Sequence, residues 1–101
     1  MTERTVVLVH GNPETAAIWG ALTAALHERG RPSVVALSPP GFGAPVPDGF
    51  DPTMDNYAEW LVAELDAIRA SGSEIDLLGH DWGAGHVYGA LARRPDLMRT
   101  W

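Results

Sequence analysis

Short apolar runs alternate with longer stretches whose apolar residues recur at helical spacing. Three runs are short and rich in Val, Ile or Leu: Thr5–Val9, Ser33–Leu37 and Ile75–Gly79. Such runs suit β-strands covered on both faces. Between them, 15–28 places Ile18, Leu22 and Leu26 at i, i+4 and i+8, with Trp19, Ala21 and Ala25 widening the stripe. That is the pattern of a helix burying one face. Thr15 suits its N-cap, and Gly30 and Pro32 end it. A second helix is predicted over 55–70, with Tyr57, Leu61, Leu65 and Ile68 as its buried stripe and Gly72 where a C-cap glycine belongs. A third is predicted over 84–93. Arg93 and Arg94 suit the negative end of its dipole, and Pro95 stops it. Gly85 and Gly89 form helix poorly, so their expected use is close approach to the sheet beneath.

A strand–helix series of this kind with short connections predicts an α/β fold: a parallel three-stranded sheet with right-handed crossovers and helices on both faces. The segment 38–54 is rich in Pro and Gly and reads as a long loop over the carboxyl ends of the strands. The last residues, from Pro95 to Trp101, read as the approach to a further strand.

Composition narrows the partners. The chain has 101 residues, 46% of them hydrophobic, and a net charge of −6. That is enough for one small domain with a single core. An acidic chain without a basic face disfavours nucleic acid as a partner. With no cysteine, neither a disulfide framework nor a thiolate metal site can form, and no other metal-ligand spacing stands out. No apolar run approaches the roughly 20 residues needed to cross a bilayer. The N-terminus enters a strand at once, so no signal peptide is expected and the cytoplasm is the default location.

Two motifs end strands. The third strand runs into Gly79-His80-Asp81-Trp82-Gly83, and a small-residue helix follows. A glycine two places either side of a reactive side chain is the pattern of a nucleophile elbow. The backbone turns sharply from strand to helix, and a Cβ on either flanking glycine would collide with neighbouring backbone. The tip residue, Asp81, is a carboxylate rather than a hydroxyl. That moves the expected chemistry from acyl transfer toward displacement at carbon. The first strand ends in His10-Gly11-Asn12-Pro13-Glu14-Thr15, and the second runs into Ser38-Pro39-Pro40-Gly41-Phe42-Gly43.

Together these motifs resemble the α/β-hydrolase superfamily, and within it the aspartate-nucleophile branch of haloalkane dehalogenases and epoxide hydrolases. The resemblance covers nearly the whole chain. It implies the strand order second–first–third, with both motifs meeting at a topological switch point. It implies that 1–101 is the N-terminal part of a hydrolase core, with the cap, an acid and a catalytic histidine not among these residues. Whether the chain is a fragment or a short relative stays open. Asp81 would attack a saturated carbon to give an enzyme ester. The backbone N–H groups of Trp82 and Asn12 would stabilise the oxyanion formed when water hydrolyses that ester. The Asn12 amide and Trp82 indole side chains would hold a leaving halide, as in the dehalogenases. His10, Gly11, Pro13, Gly79 and Gly83 would shape the two turns, Pro13 with a preceding cis peptide bond of the kind this family often has. The substrate would be a small molecule, and no cofactor is implied. Ser38 stands where the family usually has Asp. Glu14 departs from the dehalogenase pattern and adds an anion near the mouth.

Each residue also has a plainer reading. Asp81 is a possible helix cap, Asn12 a turn former and Trp82 a packing wedge. His10 is expected to make structural hydrogen bonds, His80 to pack in the core facing away from Asp81, and His27 to be solvated. His86 lies on another bearing from Asp81, and none of the four histidines reads as a general base. The alternative function is a non-catalytic module binding a small ligand or a partner chain in the same cleft. The outer edge of the third strand, left open and apolar, is expected to favour self-association by edge pairing.

Overall fold

The computed structural model describes residues 3–31 and 33–101. Pro32, expected to help end the first helix, lies outside them, as do the first two residues. Strands β1 (Glu3–Val9), β2 (Val34–Leu37) and β3 (Ser73–Gly79) form a parallel sheet in the order β2-β1-β3. Val9 pairs with Leu37 on one side and with Gly79 on the other. The carboxyl ends of all three strands therefore lie level, and the residues following β1 and β3 emerge side by side.

Alternation along β1 divides the core in two. Val7 and Val9 face a cluster with Leu61, Leu65, Ile75, Leu77, Val87, Ala90, Leu97 and Met98. Leu61 and Leu65 come from α2 (Met54–Ala70), and Val87 and Ala90 from α3 (Trp82–Arg93). Val6 and Leu8 face Trp19, with Leu22 and Leu26 of α1 (Gly20–Glu28) packed around it. Helices thus cover both faces, α1 on one and the α2–α3 pair on the other.

The first helix departs from expectation at its start. Ala16–Trp19 forms a 3-10 turn capped by the Thr15 side chain, which accepts from the Ala17 N–H. A 3-10 turn advances faster around its axis than an α-helix. The phase shift carries Trp19 into the core and leaves Ile18 43% exposed, so Ile18 is not part of the buried stripe. The second helix begins at Met54, with Thr53 accepting from the Asn56 N–H, and buries Tyr57, Leu61 and Leu65.

The glycines of α3 also behave differently from the sequence reading. Gly83 is the one that meets the sheet: a Cβ there would run into the Val9 carbonyl. Gly89 instead lies against α2, where an added Cβ would stand 2.6 Å from the Ala58 Cβ. Gly85 has no atom close enough to exclude a side chain.

The outer edge of β3 is partly occupied. After a 3-10 turn at Pro95–Leu97, the Arg99 N–H donates to the Ile75 carbonyl at 2.7 Å, and the Leu77 N–H donates to Thr100 at 3.0 Å. Thr100 forms a parallel bridge with Asp76. The expected approach to a further strand is present, and it covers part of an edge anticipated as open. Asp76 anchors this corner, accepting from Arg4 at 2.8 Å, Arg31 at 2.6 Å and the Thr100 hydroxyl at 2.6 Å. Burial alone would raise its carboxyl, but the bonds from Arg4, Thr100 and Arg31 together outweigh that and lower it to about 2.

Candidate active site

Asp81 sits between β3 and α3 at φ 60° and ψ −129°, the one non-glycine residue with positive φ among those described. A side chain held there costs of order 1–3 kcal/mol, which surrounding structure must offset. The support is visible. The His80 N–H donates to the Val9 carbonyl at 3.0 Å, and the Gly83 N–H closes back on the His80 carbonyl at 2.9 Å. Gly79 and Gly83 permit the closure. A Cβ on Gly79 would stand 2.7 Å from the Gly83 oxygen.

The β1 turn comes up beside this bend. The Asn12 N–H donates to Asp81 Oδ2 at 3.0 Å. A Cβ on Gly11 would stand 2.5 Å from the same oxygen and 2.6 Å from the Trp82 nitrogen, so the two turns touch only because Gly11 has no side chain. Asn12–Pro13 is a cis peptide. Hydrogen bonding by the Trp82 and Asn12 N–H groups, with the nearby His80, outweighs desolvation and lowers the Asp81 carboxyl below its ordinary value. It is therefore an anion at neutral pH, exposed at the helix N-terminus.

Three polar residues around the turns form contacts that sequence reasoning missed. His80 is not packed in the core: its side chain is 60% exposed, and Nδ1 lies 2.8 Å from Glu14 Oε2. Following a glycine on a tight bend, it is carried outward, edge-on to Trp19. Glu14 also accepts the Gly11 N–H at 2.7 Å. The Gly11 bond chiefly, helped by His80, lowers the Glu14 carboxyl. Glu14 thus braces the β1 turn against the elbow. A carboxylate in one motif and an imidazole in the other, Glu14 and His80, were the available signal. Ser38 meets His10, which is fully buried: Nε2 lies 3.0 Å from the Ser38 hydroxyl and Nδ1 2.9 Å from the Gly11 carbonyl. Ring and hydroxyl together tie the β1 and β2 turns.

Above Asp81 the surface opens into a cleft with two adjoining lobes. The first, about 310 Å³, is lined by Met54, Asp81, Trp82, Gly85 and His86. The second, about 320 Å³, adds Asn12, Phe42, Pro52 and Tyr57 to Met54, Trp82 and His86. Trp82 borders both lobes, Asp81 the first and Asn12 the second. Of the long 38–54 loop, Phe42 and Phe50 pack on Tyr57, whose hydroxyl donates to the Pro40 carbonyl at 2.7 Å. Among the described residues, no group of three or more His, Asp or Glu side chains could hold a metal ion.

A sheet with its carboxyl ends aligned, an aspartate on a positive-φ bend and a glycine-rich turn donating to it form one constellation. A sequence profile described as "Alpha/beta hydrolase family" matches residues 6–99. The chain belongs to the alpha/beta hydrolase family. Among individual relatives, it is 28% identical to a haloalkane dehalogenase of Agrobacterium fabrum over 94% of this chain and 30% of that protein. It is 32% identical to an epoxide hydrolase of Caballeronia sordidicola, over 94% of this chain and 29% of the relative. A cis-3-alkyl-4-alkyloxetan-2-one decarboxylase of Shewanella oneidensis is 31% identical over 93% of this chain and 30% of its own length. The chain thus spans about three-tenths of these relatives. Within the described residues no helix is long and apolar enough to cross a membrane.

Proposed function

We propose that this hydrolase-family chain carries the nucleophile and the oxyanion donors for displacement at saturated carbon in a neutral small molecule of the haloalkane or epoxide kind. The observation that supports this most is Asp81, raised on its bend with Oδ2 against the Asn12 N–H at 3.0 Å. With Oδ2 engaged, Oδ1 attacks carbon. A carbon–oxygen bond forms, the carbon–halogen bond breaks, and halide departs with its electron pair. Water then attacks the carboxyl carbon of the ester, giving up a proton to a base, and negative charge develops on Oδ2, the oxygen that already accepts from the Asn12 N–H. The adduct collapses: the bond from the carboxyl carbon to Oδ1 breaks, and the alcohol leaves with that oxygen and a proton, the water oxygen completing the regenerated carboxylate. Donors in place before charge develops need no reorganisation, and losing one typically costs about 10²–10³ in rate.

The haloalkane reading draws on the Asn12 and Trp82 side chains, which border the same lobe and can supply amide and indole N–H donors to a departing halide. Family membership alone does not choose the reaction, since a fold hosts many chemistries. Hydrolysis of the ester needs a base. His10 has both ring nitrogens bonded and His80 is paired with Glu14, while His86 lines the lobe beside Asp81 with its ring stacked on Tyr57 and makes no hydrogen bond to Asp81. None of these three histidines is assigned as the base.

Exposing the chain to 1-bromohexane and following free bromide tests this. The expected result is a burst of about one bromide per chain and no further release. Asp81→Asn should give none. Absence of the burst contradicts the nucleophile, and continued turnover would show that a histidine of this chain serves as the base.

A further inference from the structure

His86 is 8% exposed, yet it lines both lobes of the cleft. Its ring stacks on Tyr57, with centroids 4.8 Å apart and planes 19° from parallel. Tyr57 is itself pinned by its bond to the Pro40 carbonyl and by Phe42 and Phe50. The imidazole plane is therefore held, and only its edge remains to make hydrogen bonds. Burial lowers its pKa, and no hydrogen bond or charge contributes to that shift. The ring is therefore neutral at pH 7, presenting one donor and one acceptor nitrogen. Neither takes a protein partner among the described residues, and neither is sealed from the surface, so the polar edge of a largely buried ring opens onto the cleft and can be met there.

We propose that His86 is a specificity-determining residue that hydrogen-bonds a hydroxyl or similar neutral polar group on the apolar body of the substrate seated between Phe42, Pro52, Met54 and Trp82. The walls of the second lobe are aromatic and aliphatic, which suits an alkyl or alicyclic body. The charged group at the cleft is the Asp81 anion, with Glu14 nearby at the turn, so an anionic ligand is disfavoured. A neutral imidazole accepts from a hydroxyl or donates to an ether or carbonyl oxygen. A site built to hydrogen-bond a ligand rejects the analogue lacking that group, because its own polar atom is then left unpaired. The inference rests on the cleft above Asp81 being the substrate site, but it does not depend on the nucleophilic step.

The test compares cyclohexanol with methylcyclohexane, of similar shape but without the hydroxyl. Binding is read from intrinsic tryptophan fluorescence, to which Trp82 in the cleft contributes, and from the His86 ring nitrogens by ¹⁵N NMR. The wild-type chain should bind cyclohexanol about 5- to 10-fold more tightly, the worth of one such bond. Cyclohexanol alone should move the His86 nitrogen resonances. His86→Phe, which retains a flat ring on Tyr57, should bind both compounds equally. Asp81→Asn should keep the preference, so a failure of alkylation and a failure of this inference are separable. Equal affinities in the wild type, unmoved ring nitrogens, or a preference that survives in His86→Phe would overturn it. The ring-nitrogen measurement needs no variant and stands if His86→Phe does not fold. Turnover of 1-bromohexane that His86→Phe abolishes would make His86 the base and also overturn it.

Discussion

Asp81 holds a conformation that a Cβ disfavours, and the replacement series at this position separates strain from chemistry. Alanine and glycine both remove the carboxylate, but only glycine removes the Cβ at φ 60°. Asp81→Gly is expected to be more stable than Asp81→Ala by about 1 kcal/mol, after allowing for the larger entropy of a glycine in the unfolded chain. That corresponds to a melting temperature roughly 4–8 °C higher. Equal melting temperatures would show that the bend stores no strain. Glu14 allows a second comparison. Glu14→Ala leaves the Gly11 N–H without its acceptor and His80 without its partner. Faster hydrogen exchange at the Gly11 and Asn12 amides is expected, with α1 and α2 unchanged. At this scale, the elbow and its companion turn were readable because their glycines are demanded by close backbone approach. Glu14–His80 and His10–Ser38 were not, because each joins residues far apart in sequence that only the aligned strand ends bring together.

Helix α3 carries opposite instructions one turn apart. Gly89 lies where an added Cβ would stand 2.6 Å from Ala58, whereas Gly85 has open space. Gly89→Ala should push α3 from α2 and destabilise by about 1–3 kcal/mol. Gly85→Ala should stabilise by up to about 1 kcal/mol from helix propensity while narrowing the lobe beside Asp81. Thermal melts of the pair check both signs, and two losses of similar size would contradict the packing described. Element type and order were legible from periodicity, and the parallel sheet followed from them. Phase was less so. The 3-10 turn before α1 kept Trp19 in the core but turned Ile18 out of it, and the composition of α3 could not say whether its glycines meet the sheet or a helix. Both depend on how neighbouring layers pack, which a single stripe of apolar residues does not encode.

For the molecule as a whole, Asp76 joins β3 to β1 through Arg4, to the residues before β2 through Arg31 and to those after α3 through Thr100. Its folded pKa, about 2, lies below the ordinary value of 3.8. A depressed carboxylate stabilises the fold fully above its unfolded value, and the contribution is lost as pH falls toward the folded one. Melting temperature should therefore fall between pH 3.8 and about 2, and Asp76→Asn should flatten that fall while lowering stability at pH 7. A variant with the wild-type acid profile would remove Asp76 from the account. The face of β3 on the α1 side carries Leu78, 43% exposed, while Tyr88 and Trp101 stand 62% and 68% exposed in contact with each other near the chain end. Concentration-dependent self-association is expected in sedimentation, and Leu78→Lys should reduce it. A monomer at all concentrations would contradict this.

The central claim, that Asp81 is a nucleophile facing donors from the neighbouring turn, is tested most directly by locating the adduct. After exposure to 1-bromohexane, peptide mapping by mass spectrometry should place a hexyl ester on the peptide containing Asp81, and Asp81→Asn should carry none there. A chain without adduct, or with hexyl groups spread over surface carboxylates such as Glu59 and Asp66 and equally present in Asp81→Asn, would contradict it.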